Sequence, residues 1–392
     1  MASNLPLDGI TVISLEHAIA APLATRHLAD LGARVIKIER LGTGDFARAY
    51  DRRVNGQASH FVWVNRSKES LTLDLKQAEA RAVLDRLLEQ ADVLVQNLAP
   101  GAAARMGLSY ETLAPRLPKL VVCDISGYGD GGPYTDKKAY DLLIQSESGF
   151  LSVTGTADEM AKSGISVADI AAGMYAYSGI LAALLQRART GTGRRVEVAM
   201  IDAMAEWMSF PLYYTLNGQS APPRAGAAHA TIYPYGPFKA GDGRVVMLGL
   251  QNEREWKVFC DQVLCRPELV DLPRFADNAA RTQHRGELRQ LIETEFATLT
   301  ADAVIARLDA SDIANAHVNS MADLWQHPQL AARKRWCSVD SPAGPIPALM
   351  PPGSDAANAP RMGPVPALGQ HTDSILAEFG FDSALLRASG AV

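Results

Sequence analysis

One acidic residue near the middle of the chain stands at a junction of two textures. Asp169 lies in Lys162-Ser-Gly-Ile-Ser-Val-Ala-Asp-Ile-Ala-Ala-Gly-Met-Tyr175, where a polar loop turns into an apolar helical run. Two chemistries fit it. Ser166 and Asp169 have the S-x-x-D spacing of a capping box, and an acid in a first helical turn complements the macrodipole. The same carboxylate is also a nucleophile type: an ordinary aspartate is ionised at neutral pH and attacks an activated acyl group without a base, giving a mixed anhydride. The spacing alone does not choose between them. Arg40, Lys76 and Lys138 fall near expected strand ends or in the loops after them, and Arg105 lies eight residues beyond Asn97. In an open parallel sheet, ligands collect outside the carboxyl ends of the strands. Several positive charges there suit a polyphosphate, although each alone reads first as a solvated surface charge.

Other chemistries lack their residues. There is no GxxxxGK[ST] phosphate loop, no GxSxG elbow and no HExxH. The one GxGxxG match, Gly127–Gly132, is followed by Pro133 and a polar stretch, so it reads as a turn. No histidine lies between His60 and His229, which removes the commonest general base from the middle of the chain. Cys123, Cys260, Cys265 and Cys337 have no metal spacing, so no metal site is expected, and free thiols suit a reducing compartment. The net charge of −5 comes from interspersed residues without a basic face, so no nucleic-acid partner is expected. The N-terminus shows no secretory pattern. The most apolar run, Ile170–Leu185, has 16 residues and reads as a buried helix, short of the ~18 of a membrane span. A cytoplasmic location with no membrane partner is expected.

The elements that must position these residues alternate. Strands are expected at Ile10–Leu15, Arg34–Glu39, Leu71–Leu75, Val93–Asn97, Leu120–Ser126 and Val196–Ala199, with helices at Ala21–Leu31, Gln77–Gln90, Ala168–Arg189 and Ile201–Phe210. That order predicts an α/β fold, a Rossmann-like large domain with a parallel sheet over residues 1–215. Residues 218–243, rich in Gly, Pro and Ala, read as a linker or ordered loop. A smaller α/β domain is expected over 225–325, with helices at Glu253–Leu264, Arg285–Thr298 and Ala301–Ala310. Within the C-terminal segment, 330–392, residues 339–368 read as an extended arm and Asp373–Phe379 as a last helix.

Several ordered motifs together resemble class III CoA-transferases, of the formyl-CoA and carnitine CoA-transferase type. They are Leu7-Asp-Gly-Ile-Thr-Val12, His17-Ala-Ile-Ala-Ala-Pro22, Leu31-Gly-Ala-Arg-Val-Ile-Lys-Ile-Glu-Arg40, the Asn97 to Gly107 stretch, Lys138-Ala-Tyr-Asp141, the Asp169 segment, the run from Gly191 to Ala203, and Leu368-Gly-Gln-His-Thr-Asp373. The resemblance covers nearly the whole chain. It implies that Asp169 is the nucleophile. It implies that Arg40, Lys76, Asn97, Arg105 and Lys138, Ala139, Tyr140 and Asp141 hold coenzyme A, with Leu73 and Leu98 beside its adenine and pantetheine. His17, Ile19 and Ala20 match the loop near the thioester, although relatives often carry Gln where this chain has Ile19. The implied fold is an interlocked homodimer whose C-terminal segment returns to the large domain, with CoA thioesters as substrates and no tightly bound cofactor.

The Ala225–Gly236 stretch lacks the glycine run of formyl-CoA transferase. With Tyr140–Gly149 and Gly249–Trp256, it looks more like the branch that moves CoA from succinyl-CoA to itaconate, mesaconate or citramalate, where His229 or Arg254 would meet the distal carboxylate. Two alternatives remain: an acyl-CoA racemase or epimerase of the same fold, and a catalytically silent CoA-binding protein. The family's racemases place a histidine where this chain has Tyr140, which counts against the first. Retention of Asp169 among matching neighbours counts against the second.

Overall fold

The computed structural model describes residues 5–355 and 358–392. It divides into two compact units: residues 1–148, 163–209 and 329–392 form the first, and 149–162 with 210–328 form the second. Through the first unit and its excursion, the elements run β1 (Thr11–Leu15), α1 (Ala20–Asp30), β2 (Arg34–Glu39), α2 (Ser59–Asn65), β3 (Lys68–Thr72), α3 (Ala78–Leu88), β4 (Val93–Gln96), α4 (Ala102–Arg105), α5 (Tyr110–Leu113), β5 (Val121–Ser126), α6 (Asp141–Glu147), α7 (Phe150–Val153), α8 (Val167–Thr190), β6 (Arg195–Ala199) and α9 (Met200–Trp207).

The six strands form one parallel sheet in the order β3-β2-β1-β4-β5-β6. Val12, Ile13, Val35, Ile36, Val93, Leu94, Val95, Val121 and Val122 are buried to within a percent of complete exclusion. Near-continuous β-branched and leucine runs of this kind are what a sheet covered on both faces requires. Chain order reverses between β1 and β4, so the crevice outside their carboxyl ends is the topological switch point.

β3 departs from expectation. It spans Lys68–Thr72 rather than Leu71–Leu75, in register with β2 from Val35↔Lys68 to Glu39↔Thr72. The polar start Lys68-Glu69-Ser70 disguised it, because Lys68 is buried as an ion partner rather than exposed. Its outer edge is not left bare. Ser67, Ser70, Thr72 and Asp74 donate main-chain N–H groups to Pro364 O, His371 Nδ1, Thr372 Oγ1 and Ala391 O, at 2.8 to 3.1 Å. The C-terminal segment thus occupies an edge that would otherwise pair with another chain. The 339–368 arm is not wholly extended: Trp336–Val339 (β10) and Ile346–Leu349 (β11) form an antiparallel hairpin. The last helix is Thr372–Glu378.

α8 has 24 residues and is long and apolar enough, by length and composition, to cross a membrane; the apolar run predicted only 16. In this structure it packs on α1, α6, α9, β5 and β6. Gly173 allows the approach to α1, since a Cβ there would lie 2.7 Å from Ala20 O and 3.2 Å from Leu23 Cδ2. The N-terminal turns of α1 and α8 are thereby brought side by side.

In the second unit, Tyr235–Lys239 (β7), Val245–Gly249 (β8) and Asn315–His317 (β9) make an antiparallel sheet in that order. β7 lies inside the stretch expected to be a linker. Its Tyr-Gly-Pro-Phe-Lys sequence has little strand propensity, and pairing with β8 makes it a strand. The helix beginning at Glu253 becomes a π-turn at Phe259–Val263, while Arg285–Phe296 and Ala301–Ala310 are regular. Trp256, Phe238, Phe259, Phe275 and Phe296 form this unit's core.

The Gly173 contact gives a stability test. Gly173→Val forces the backbone of α1 away and is expected to cost about 1–3 kcal/mol, as overpacking does. Gly164→Ala, where an added methyl meets nothing within 4 Å, should shift the urea midpoint little. Equal midpoints for the two variants would refute the close-approach account.

Candidate active site

The loop leaving β1 carries Glu16, His17, Ala18 and Ile19 to the switch point. Its main chain is gripped from two sides. Asn97, just past β4, accepts the His17 N–H at Oδ1 (2.8 Å) and donates Nδ2 to His17 O (2.9 Å). Asp45 Oδ1 accepts the Ala18 N–H at 3.1 Å, and Ala18 has a φ of 62°, left-handed for a residue with a Cβ. Such conformations persist only where surroundings over-determine them.

Those surroundings are ionic and wholly buried. Lys37 Nζ lies 2.8 Å from Asp45 Oδ2 and 3.5 Å from Glu16 Oε1, and Lys68 Nζ lies 2.7 Å from the same Glu16 oxygen, with all four side chains excluded from solvent. Thr25 Oγ1 donates to Glu16 Oε2 at 2.6 Å, and Lys68 also donates to Pro22 O and Asn65 Oδ1. Burial pushes the Glu16 carboxyl up, but Lys68 and Lys37 outweigh it and hold it low. Burial pushes Lys68 down to about 7 against the pull of Glu16. Glu39 extends the cluster, accepting from the Asp45 N–H, Arg48 and Ser70 Oγ.

At the start of α8 the structure corrects the capping-box expectation: Ser166 is the N-cap residue, but its side chain makes no capping bond. The cap comes from α6. Asp141 Oδ1 accepts the Ala168 N–H at 2.8 Å and the Asp169 N–H at 3.3 Å. Asp169 is therefore released from capping duty, and among the described residues no donor reaches its carboxylate. Burial pushes that carboxyl up to about 7, and the charge of Asp141 adds to the rise. The peptide N–H groups of the first α8 turn act in the opposite sense, favouring the anion. The expectation of an aspartate fully ionised at neutral pH is corrected: this one is poised near neutrality.

The other expected residues fall at the same edge of the sheet. Ile19 is the N-cap of α1 and buried, as is Ala20, its first residue. His17 stacks on Phe46 at 5.3 Å, and burial lowers its pKa, favouring the uncharged ring. Arg40 follows β2, exposed; Leu73 is buried after β3, with Lys76 exposed beyond it. Leu98 follows β4, its N–H held by Gln96 Oε1 at 2.8 Å, and Arg105 ends α4, exposed. Lys138 and Tyr140 are exposed in the segment after β5 that leads into α6. Ala139 sits against Gly127, where a Cβ would come within 2.2 Å of the Ala139 Cβ, so the turn after β5 tolerates only glycine there. The structure thus brings residues from five strand ends, α6 and α8 into one unit. His229 and Arg254 belong to the other. There, His229 Nδ1 accepts from the Thr231 and Ile232 N–H groups, its ring stacking on Tyr235 at 5.4 Å, and Arg254 is exposed on its helix.

Sequence reasoning missed several neighbours. Phe46, Tyr50 and His60 continue the ring contacts that begin at His17. Tyr50 is pushed up to about 12 by burial and by the charges of Asp45 and Asp169, which places its phenol within electrostatic range of the site. The available signal was position: these residues follow the carboxyl end of β2, but aromatic residues in a loop carry no motif. Among the described residues, no group of three His, Cys, Asp or Glu side chains is placed to hold a metal.

With this geometry, comparison with known proteins is decisive. Residues 7–372 match the sequence pattern of CoA-transferase family III. An acyl-CoA transferase of Fusarium pseudograminearum is 36% identical over 97% of this chain and 86% of its own length. A succinate–glutarate CoA-transferase of Agrobacterium fabrum is 35% identical over 95% of both chains. The crystal structure of a CAIB/BAIF family protein from Brucella suis superposes with a TM-score of 0.85 at 33% identity, covering 96% of this chain and all of that one. The chain belongs to CoA-transferase family III, and it is an enzyme that transfers coenzyme A.

Two measurements test the site. Lys37→Met leaves Asp45 and Glu16 with too little buried counter-charge, and is expected to cost about 3–5 kcal/mol by urea denaturation. Asp169 contributes a pH dependence of defined sign. Its folded pKa, about 7, exceeds the 3.8 of a solvated aspartate, so the folded state binds more protons between those values and loses stability as pH rises through them. Asp169→Asn removes that slope, so the variant should gain on the wild type from pH 4 to 7 and hold a constant lead above. A gap that stays flat across this range would contradict the raised pKa.

Proposed function

We propose that this enzyme moves coenzyme A from succinyl-CoA to a small dicarboxylic acid, with Asp169 as the nucleophile. The observation that carries this reading is the state of Asp169: partly buried, unbonded at its carboxylate, and relieved of capping by Asp141. In its ionised form the carboxylate attacks the donor thioester carbonyl, forming an aspartyl–acyl anhydride and expelling CoA thiolate. The thiolate attacks the aspartyl carbonyl, releasing the donor carboxylate and leaving an aspartyl-CoA thioester. The acceptor carboxylate attacks that thioester, giving a new anhydride and thiolate, and the thiolate then takes the acceptor acyl group and frees Asp169. No net proton is consumed. Free CoA has to stay bound between steps; in this reading Arg40, Lys76, Arg105 and Lys138 hold its phosphates, with Leu73, Leu98, Asn97 and the Ala139–Asp141 run along its length. His17, Ile19 and Ala20 would line the thioester. Water has to be kept from the anhydride.

The acceptors that fit are C4–C5 diacids: itaconate, mesaconate and citramalate, joined by glutarate from the named activity of the Agrobacterium relative. His229 supports diacid recognition through its locked tautomer. With Nδ1 accepting two N–H groups, Nε2 carries the hydrogen and can donate to a second carboxylate. Arg254 is the alternative partner. We also propose the interlocked homodimer, supported by the run of exposed apolar side chains Phe210, Leu212, Tyr213, Tyr214 and Leu216. A cytoplasmic location is supported by four free thiols. Racemase chemistry is disfavoured because Tyr140, 68% exposed, stands where a second acid/base would be needed.

The test is an exchange assay read by mass spectrometry. Enzyme, succinyl-CoA and one acid at a time are incubated, and a new CoA ester with free succinate is expected for at least one diacid. Asp169→Asn should reduce exchange by at least about a thousandfold while CoA binding persists. Near-wild-type exchange by Asp169→Asn would overturn the mechanism, and deuterium uptake at the α-carbon of a branched acyl-CoA without exchange would favour the racemase.

A further inference from the structure

Gln145 is a polar side chain with no exposure at all, and none of the chemistry above uses it. It lies on α6, one turn beyond Asp141, four residues earlier, and faces back toward it. Its Nε2 donates to Asp141 Oδ2 at 2.6 Å, and its Oε1 accepts the Ser163 N–H at 2.9 Å. Its place in the chain matters. The polypeptide leaves the first unit after Ser148 and re-enters it at Ser163. Gln145 therefore staples the point of exit to the point of return, immediately ahead of the loop that leads into α8.

The two Asp141 oxygens are then fully committed. Oδ1 caps α8 at Ala168 and Asp169, and Oδ2 is held by Gln145. Ser166, the residue whose type and spacing suit the cap, does not make it. The direction in which Asp169 leaves the helix is thus set by a carboxylate on another element, and the orientation of that carboxylate is set by a buried amide. We propose that Gln145 is a positioning residue for the transfer reaction: through Asp141 and Ser163 it fixes the first turn of α8 and with it the direction of the Asp169 carboxylate. This deepens the proposed function and rests on Asp169 being the nucleophile.

An amide suits the position where its neighbours would not. Leucine fills the volume but removes the donor to Asp141 Oδ2 and the acceptor that Oε1 offers the Ser163 N–H, in a part-buried place. Glutamate keeps the acceptor for Ser163 but can donate to Asp141 only when it carries a proton. Otherwise two carboxylates face each other across a hydrogen-bond distance, and one proton must be shared. The charged groups concerned are Asp141 and Glu147 on α6, Lys137 paired with Glu147 from the segment before it, and Asp169 on α8.

The experiment compares full-length wild type, Gln145→Leu and Gln145→Glu. For Gln145→Leu, kcat for CoA exchange should fall about 10- to 100-fold, the range expected for a misdirected reacting group, with the Kd for CoA within about twofold by calorimetry. For Gln145→Glu, the ratio of its kcat to that of wild type should climb as pH falls from about 8 to 5.5, as the new carboxyl takes up the proton the amide supplied. Taking the ratio removes the titration of Asp169 common to both. A kcat unchanged in Gln145→Leu, or a fall in CoA affinity equal to the fall in turnover, overturns the proposal, as does a pH-independent ratio. Hydrogen–deuterium exchange of peptides spanning 163–172 is read in parallel and needs no turnover. Faster exchange there in Gln145→Leu supports the staple, and unchanged exchange overturns it. If the wild type moves no CoA with any donor or acceptor, the functional reading has failed, and this arm alone decides whether Gln145 fixes the turn. Should Gln145→Leu not fold, Gln145→Glu at low pH carries the comparison.

Discussion

The buried ion cluster beneath the β1 loop is the constraint on which the rest of the site depends. Lys37, Lys68, Glu16 and Asp45 are each fully excluded from water. Ion pairs of this kind rarely add net stability over an apolar core, and their best-attested role is to impose one arrangement. Here they impose the path of the chain from β1 into α1. Asp45 is held by Lys37 and in turn takes the Ala18 N–H, while Lys68 ties Glu16 to the Pro22 carbonyl inside α1. A left-handed alanine is tolerated because the alternatives would strand a charge.

The same logic governs the second half of the site. α8 can come close to α1 because Gly173 has no side chain to hold Ala20 away. That contact, at Gly173 four residues beyond Asp169, fixes one turn of α8 against the helix whose first residues are Ala20 and Ala21. Asp141 then finishes the N-terminal turn with a charge of its own. The consequence is electrostatic: burial and a neighbouring carboxylate raise Asp169 toward neutrality, and helix N–H groups oppose them. A carboxylate with a pKa near the working pH keeps a substantial ionised fraction while being more basic than a solvated aspartate.

Much of this was legible from residue types and order. The alternation of apolar runs located five of the six strands to within a residue or two, and the alternation of strands with helices signalled a parallel sheet. The positions of Arg40, Lys76, Asn97 and Lys138 in the loops after strands followed from the order of the strands along the chain. β3 was misplaced because its first half is polar, and polarity is read as exposure unless a buried partner is known. β7 was missed because Gly-Pro in a strand opposes propensity, and only its pairing with β8 overrides it.

The sequence by itself determined the fold class and the order of the strands along the chain and singled out Asp169 as a candidate, because these depend on periodicity and on motifs contiguous in the chain. Only the tertiary structure decided which acid caps α8, why Asp169 titrates near neutrality, that Ala18 is strained, and that residues 149–162 leave the first unit. Asp141 and Asp169 are 28 residues apart, and Lys68 and Glu16 are 52 apart. Hydrogen bonds and buried charges between such distant residues leave no periodic trace, since either partner alone has the composition of an ordinary polar surface residue. Their energies exist only once folding has removed the water between them.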